Sequence, residues 1–123
     1  MGARKKLLLI DDDEAALEYL SVKLGGEFDL MATGSPEQAL SLASDGRPDL
    51  VLCDIDLPGM DGGDLSAMLF ACLETHHIPL VFLTALVSPA ELKAKGDQLA
   101  GRAAISKQAS IEQIVARIRA NLI

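Results

Sequence analysis

Five short apolar runs punctuate the chain, and segments of helical period separate them. Leu7-Leu8-Leu9-Ile10, Leu50-Val51-Leu52-Cys53 and Leu80-Val81-Phe82-Leu83 are continuous, as strands buried on both faces require. Phe28 to Ala32 is less uniformly apolar and reads as a strand nearer an edge, and Ala103-Ala104-Ile105-Ser106 is a weaker fifth candidate. Between them lie helices with recognisable starts. Asp11-Asp12-Asp13-Glu14 places acids at a helix N-terminus, where the dipole favours them. Ala16, Leu17, Leu20 and Leu24 make its stripe, and Gly25-Gly26 stops it. Ser35-Pro36-Glu37-Gln38 opens a second helix carrying Ala39, Leu40, Leu42 and Ala43 and ending near Gly46. Leu65, Met68, Leu69 and Cys72 share one face of a third. Ser88-Pro89-Ala90-Glu91 starts a fourth, expected to reach about Gln98 with a thin stripe of Leu92 and Leu99. Ser110-Ile111-Glu112-Gln113 caps a fifth, with Ile111, Ile114, Val115, Ile118 and Leu122 on its apolar side.

Strand and helix therefore alternate five times with short connections. That order predicts an α/β fold, a doubly wound (βα)5 unit whose five-stranded parallel sheet runs 2-1-3-4-5 with helices on both faces. In this flavodoxin-like arrangement the first and third strands are neighbours, and a crevice opens at their carboxyl ends. Asp11, Asp12 and Asp54 then converge. Asp54 alone reads equally as a nucleophile, a metal ligand or an acid that begins a turn, because Pro58-Gly59 follows it closely.

Convergence changes the chemistry. Two carboxylates about 4 Å apart repel by roughly 4 kcal/mol at an effective dielectric of 20, equivalent to about three pKa units. Such a cluster takes up protons or recruits a cation. Oxygen ligands with open positions suit Mg²⁺, which keeps waters and shares its shell with phosphate. Thr84 and Lys107 end the two neighbouring strands and border the same crevice. A hydroxyl and an ammonium beside a divalent ion describe a phosphoryl site.

Composition narrows the alternatives. At 123 residues, half of them hydrophobic, the chain is expected to form one domain, residues 1–123, with no separate output domain. Aromatics are scarce, so the core is aliphatic. A formal charge of -7 opposes direct nucleic-acid contact. Cys53 and Cys72 fit no metal spacing and are expected as buried, reduced thiols. The apolar run after Met-Gly-Ala-Arg-Lys-Lys is too short for a signal peptide, Lys6 stands where myristoylation wants Ser or Thr, and nothing approaches transmembrane length. A cytoplasmic chain without membrane insertion is expected. Adjacent His76 and His77 read as loop residues, Asp13 and Glu14 as helix-start acids, and Arg117 and Arg119 as a solvated face.

The set Asp11-Asp12, Asp54-Ile55-Asp56-Leu57-Pro58-Gly59-Met60-Asp61-Gly62, Leu83-Thr84-Ala85 and Lys107, in this order and across the whole chain, resembles the receiver domain of two-component response regulators. The resemblance implies that Asp54 accepts phosphate from a histidine kinase, a phosphotransfer protein or a small phosphodonor. It implies Mg²⁺ on Asp12, Asp54 and the Asp56 carbonyl, with Asp11 acting mostly through water. Thr84 and Lys107 would meet the phosphoryl group, small Ala85 would admit the donor, and a protein effector in trans would receive the signal. It implies no enzyme beyond self-catalysed phosphorylation and dephosphorylation. Whether the chain forms a homodimer stays open. Two positions depart from the family pattern. Gln108 stands where Pro usually follows the lysine, so a trans bond is expected there. Ala104 replaces the usual aromatic. These departures keep a second reading in view, a degenerate receiver that only docks partners. A third, an enzyme, rests on Asp54-Ile55-Asp56, which resembles the Asp-x-Asp of haloacid-dehalogenase-type phosphatases, though there the motif follows the first strand.

Overall fold

The computed structural model describes residues 4–55, 57, 62–99 and 101–122. The strands are β1 (Lys6–Ile10), β2 (Asp29–Thr33), β3 (Leu50–Asp54), β4 (Leu80–Thr84), β5 (Gln98–Leu99) and β6 (Arg102–Ser106). The helices are α1 (Glu14–Gly25), α2 (Pro36–Gly46), α3 (Gly62–Ala71), α4 (Pro89–Ala94) and α5 (Ile111–Asn121). The sheet order is β2-β1-β3-β4-β6-β5. The five long strands are parallel and keep the order expected from the alternation.

Strand alternation divides the core into two layers. Leu8, Ile10, Val51, Cys53, Phe82 and Ala104 point to the side covered by α2, α3 and α4. Leu7, Leu9, Leu50, Leu52, Leu83 and Ile105 point to the side covered by α1 and α5. Every residue of β3 and β4 is buried, which is why both read as unbroken apolar runs. The exposed β2 positions, Asp29 and Ala32, mark the edge strand.

The caps behave as their sequences dictate, with one variation. Ser88 with Glu91 and Ser110 with Gln113 form reciprocal capping boxes. Ser35 accepts from the Gln38 amide, but the Gln38 side chain does not turn back. Its Oε1 accepts from Thr33 Oγ1 at 2.7 Å, fastening the end of β2 to α2. Gly46 ends α2 beneath β2, where a Cβ would stand 2.6 Å from the Met31 sulfur.

Two expectations are corrected. The fourth helix stops at Ala94 rather than near Gln98, because Gly96 (φ 76°) and Asp97 (φ 58°) both take left-handed backbone. The chain turns there, and Gln98 and Leu99 pair antiparallel with Ala103 and Arg102 as a sixth, edge strand. Leu99 therefore belongs to β5 and not to an α4 stripe. Of the two thiols only Cys53 is buried, since Cys72 lies just past the end of α3 and is exposed. Met68, on the same expected face, is 41 % exposed.

Candidate functional site

Four strand ends build the site. Asp11 follows β1 directly; its amide donates to the Thr33 carbonyl at 3.1 Å, which fixes it against β2. Its Oδ1 accepts from the Asp13 amide at 3.0 Å, and Asp13 caps α1. Asp54 is the last residue of β3 and only 7 % exposed. Thr84 ends β4, one register step beyond the Asp54–Leu83 pair, and is buried. Lys107 follows β6, and its amide donates to the Thr84 carbonyl at 2.7 Å.

Carboxylate oxygens of Asp11, Asp12 and Asp54 all lie within 4.8 Å of one another. The first is fully buried and Asp12 is exposed at the mouth. Lys107 Nζ reaches into this cluster, 2.6 Å from Asp11 Oδ2 and 3.0 Å from Asp54 Oδ2. Three carboxylates against one ammonium leave two negative charges in excess. Burial drives the Asp11 carboxyl above its ordinary range, more than Lys107 and the Asp13 amide draw it down. For Lys107 burial pulls downward, but hydrogen bonds and charge from Asp11 and Asp54 outweigh it and hold the ammonium proton more tightly than usual. Cys53, one residue before Asp54, packs in the core and donates its thiol to the Asp54 carbonyl at 3.2 Å. Burial first, then the charges of Asp54 and Asp11, push this thiol up to about 12.

The donor set fits a hard divalent cation. All three groups are carboxylates, and Asp11 Oδ2 is buried with an ion-pair contact to Lys107 but no hydrogen bond of ordinary geometry among the described residues. An oxygen so placed is incompletely satisfied by Lys107 alone.

Thr84 Oγ1 accepts from the Leu86 amide at 3.1 Å, so its own proton is left to donate. Ser106, expected only as a strand residue, and Gln108, expected only as a departure from the usual Pro, both take hydrogen-bonding roles beside Lys107. Ser106 Oγ donates to the Val87 carbonyl at 2.6 Å and accepts from the Gln108 amide at 3.1 Å. Gln108 Nε2 donates to the Ala85 carbonyl at 3.1 Å. The only signal was their position on either side of the lysine. No cis peptide occurs among the described residues, so Lys107–Gln108 is trans as expected. Asp56, expected to offer its carbonyl to the metal, lies outside the described residues, as do Pro58 to Asp61.

The sequence model of the response regulator receiver domain matches residues 7–119. The chain belongs to that family. As a receiver domain it is 38% identical over 120 residues to the DNA-binding response regulator MtrA of Mycolicibacterium paratuberculosis, covering 97% of this chain and 52% of that protein. The receiver thus spans about half the length of such curated relatives, and DNA binding is named of MtrA as a whole. Among solved structures it is similar to a response regulator from Desulfuromonas acetoxidans, with a TM-score of 0.77, 25% identity and 94% of each chain covered. The Vibrio cholerae chemotaxis protein CheY4 shares the fold at a TM-score of 0.81, with 21% identity over 98% of this receiver and 100% of that chain.

Elsewhere the bland assignments need one adjustment. His76 and His77 sit exposed in a turn, His76 Nδ1 beside the Leu73 carbonyl. The last-helix arginines are not simply solvated: Arg119 pairs with Glu27 at 3.1 Å and lies over the Phe28 ring, and Arg117 reaches the Asp97 carbonyl. No helix among the described residues is long and apolar enough to cross a membrane.

Proposed function

We propose that this receiver is a phosphoacceptor module of a two-component phosphorelay, with Asp54 as the residue that takes the phosphoryl group. The observation that carries the reading is the Asp54 carboxylate, held at the end of a fully buried strand with Lys107 Nζ at 3.0 Å and two further carboxylates beside it. Asp11, Asp12 and Asp54 would hold Mg²⁺, with Asp56 as a further ligand. When bound, the ion supplies positive charge beside phosphoryl oxygens.

In the transfer, an Asp54 oxygen attacks the phosphorus of a phosphohistidine or acyl phosphate. The new O–P bond forms as the bond to the donor's leaving atom breaks, and that atom departs with the electron pair. Lys107 exchanges its contact with Asp54 for a phosphoryl oxygen, and Thr84 donates its free hydroxyl proton to another. Ala85, exposed at the lip, leaves room for the donor. The partners are a histidine kinase or phosphotransfer protein upstream and a protein effector downstream. The chain turns over no external substrate beyond its own phosphorylation and dephosphorylation.

Incubation with acetyl phosphate and Mg²⁺ tests this. Intact mass should rise by one phosphoryl group in the wild type and stay unchanged in Asp54→Ala. A wild-type mass that never changes across several donors contradicts the phosphoacceptor reading and leaves docking without phosphorylation in its place.

A further inference from the structure

Lys107 is fastened to the loop after β4 by more than its own backbone. Its amide takes the Thr84 carbonyl, the Gln108 side chain takes the Ala85 carbonyl, and the Ser106 hydroxyl takes the Val87 carbonyl. Three of the four carbonyls from Thr84 to Val87 are therefore bound by three consecutive residues, 106 to 108. The Ser106 bond is short at 2.6 Å, and Ser106 is only 2 % exposed, so water competes for it poorly. The same hydroxyl accepts from the Gln108 backbone N–H, which ties the Ser106 side chain to the Gln108 backbone across Lys107.

The far end of this loop is the start of α4. Val87 adjoins Ser88, whose side chain caps the helix and whose carbonyl accepts the Leu92 amide at 2.9 Å. Helix α4 has six residues and one buried side chain, Leu92. It borders a cleft of about 480 Å³ shared with β6 and α5, lined by the small residues Ala104, Ala109 and Ala116 among others. A short helix with a single buried anchor beside open space can shift as a unit at low cost.

We propose that Ser106 and Gln108 are positioning residues that make the β4–α4 loop and the first turn of α4 follow Lys107 when its ammonium changes partner. The inference rests on the phosphoacceptor reading and adds the route by which that site reaches α4. Nothing in the route passes through Ala104. Lys107 moves toward the phosphoryl group, residues 106 and 108 move with its backbone, and the bound carbonyls of Ala85 and Val87 are carried along.

Hydrogen exchange with and without beryllofluoride and Mg²⁺ tests the inference. In the wild type, exchange should slow both in residues 105–109 and in residues 85–92. In Gln108→Ala and in Ser106→Ala, residues 105–109 should still respond, while the response of 85–92 falls about fivefold, the scale of one lost hydrogen bond. Ser106→Thr, which keeps the hydroxyl, should restore it. Gln108 is exposed, so its variant keeps the fold and decides the matter alone if Ser106→Ala does not fold. Without any beryllofluoride, Gln108→Ala should also speed exchange at 85–88 several-fold. A variant whose residues 85–92 behave as in the wild type overturns the clasp. A wild type that responds in neither segment overturns the phosphoacceptor reading and this route with it, whereas unchanged resting exchange at 85–88 in Gln108→Ala overturns the clasp alone.

Discussion

At the scale of single residues, the site is a cluster of acids at the ends of apolar strands. Asp54 ends an apolar strand, and Asp11 and Asp12 end another, so sheet order alone brought the three together. What the sequence did not display was Lys107 already inside the cluster, bridging Asp11 and Asp54. Its four-carbon stem spans that gap only in three dimensions. Both Lys107 and Cys53 hold their protons more tightly in the folded chain than their ordinary values of 10.5 and 9.0. The folded state then binds more protons than the unfolded one at alkaline pH. Stability should be full below about pH 9 and fall as pH rises from there toward about 12, through the raised values. Urea midpoints across that range should show a smaller decline in Lys107→Met. A thiol count checks the burial difference directly. At pH 8 the native protein should present one fast-reacting thiol, Cys72, and release Cys53 only in denaturant; two fast thiols would refute that placement.

Elements were legible where caps and periods agree and failed where a turn cut a period short. Ser110 and Gln113 announced α5 and form the box they spell. Removing that cap in Ser110→Ala should cost about 1 kcal/mol, seen as a melting temperature lower by roughly 4 °C for a domain of this size. No change would mean that tertiary packing through Ile114 and Ile118 alone sets the helix start. The fourth helix ends four residues short of the expected Gln98, because Leu99, seven positions after Leu92, only mimics a helical stripe. Gly96-Asp97 was the available warning, since glycine takes left-handed backbone freely and aspartate tolerates it better than most residues. Met68 and Cys72 show the same limit near the end of α3: both share the expected apolar face, yet they are exposed while Leu69 beside Met68 is buried in the core.

For the whole molecule, alternation of strand and helix carried most of the fold, since parallel strands need crossovers and crossovers have one hand. The sixth strand escaped because two residues cannot display a period. The excess negative charge in the crevice makes a global prediction. Mg²⁺ should raise the melting temperature in proportion to the logarithm of its concentration above its dissociation constant. Asp12→Ala and Asp54→Asn should lose that rise, while in EDTA they remain as stable as the wild type or more so, because repulsion is relieved. Equal shifts in all three proteins would place the ion elsewhere. The most direct test of the central claim is chemical mapping of the phosphorylated residue. Borohydride reduction of the protein treated with acetyl phosphate and Mg²⁺, followed by peptide sequencing, should find homoserine at position 54 and unchanged aspartate at 11 and 12. Homoserine at another position, or a phosphorylated mass with Asp54 unmodified, would contradict the account.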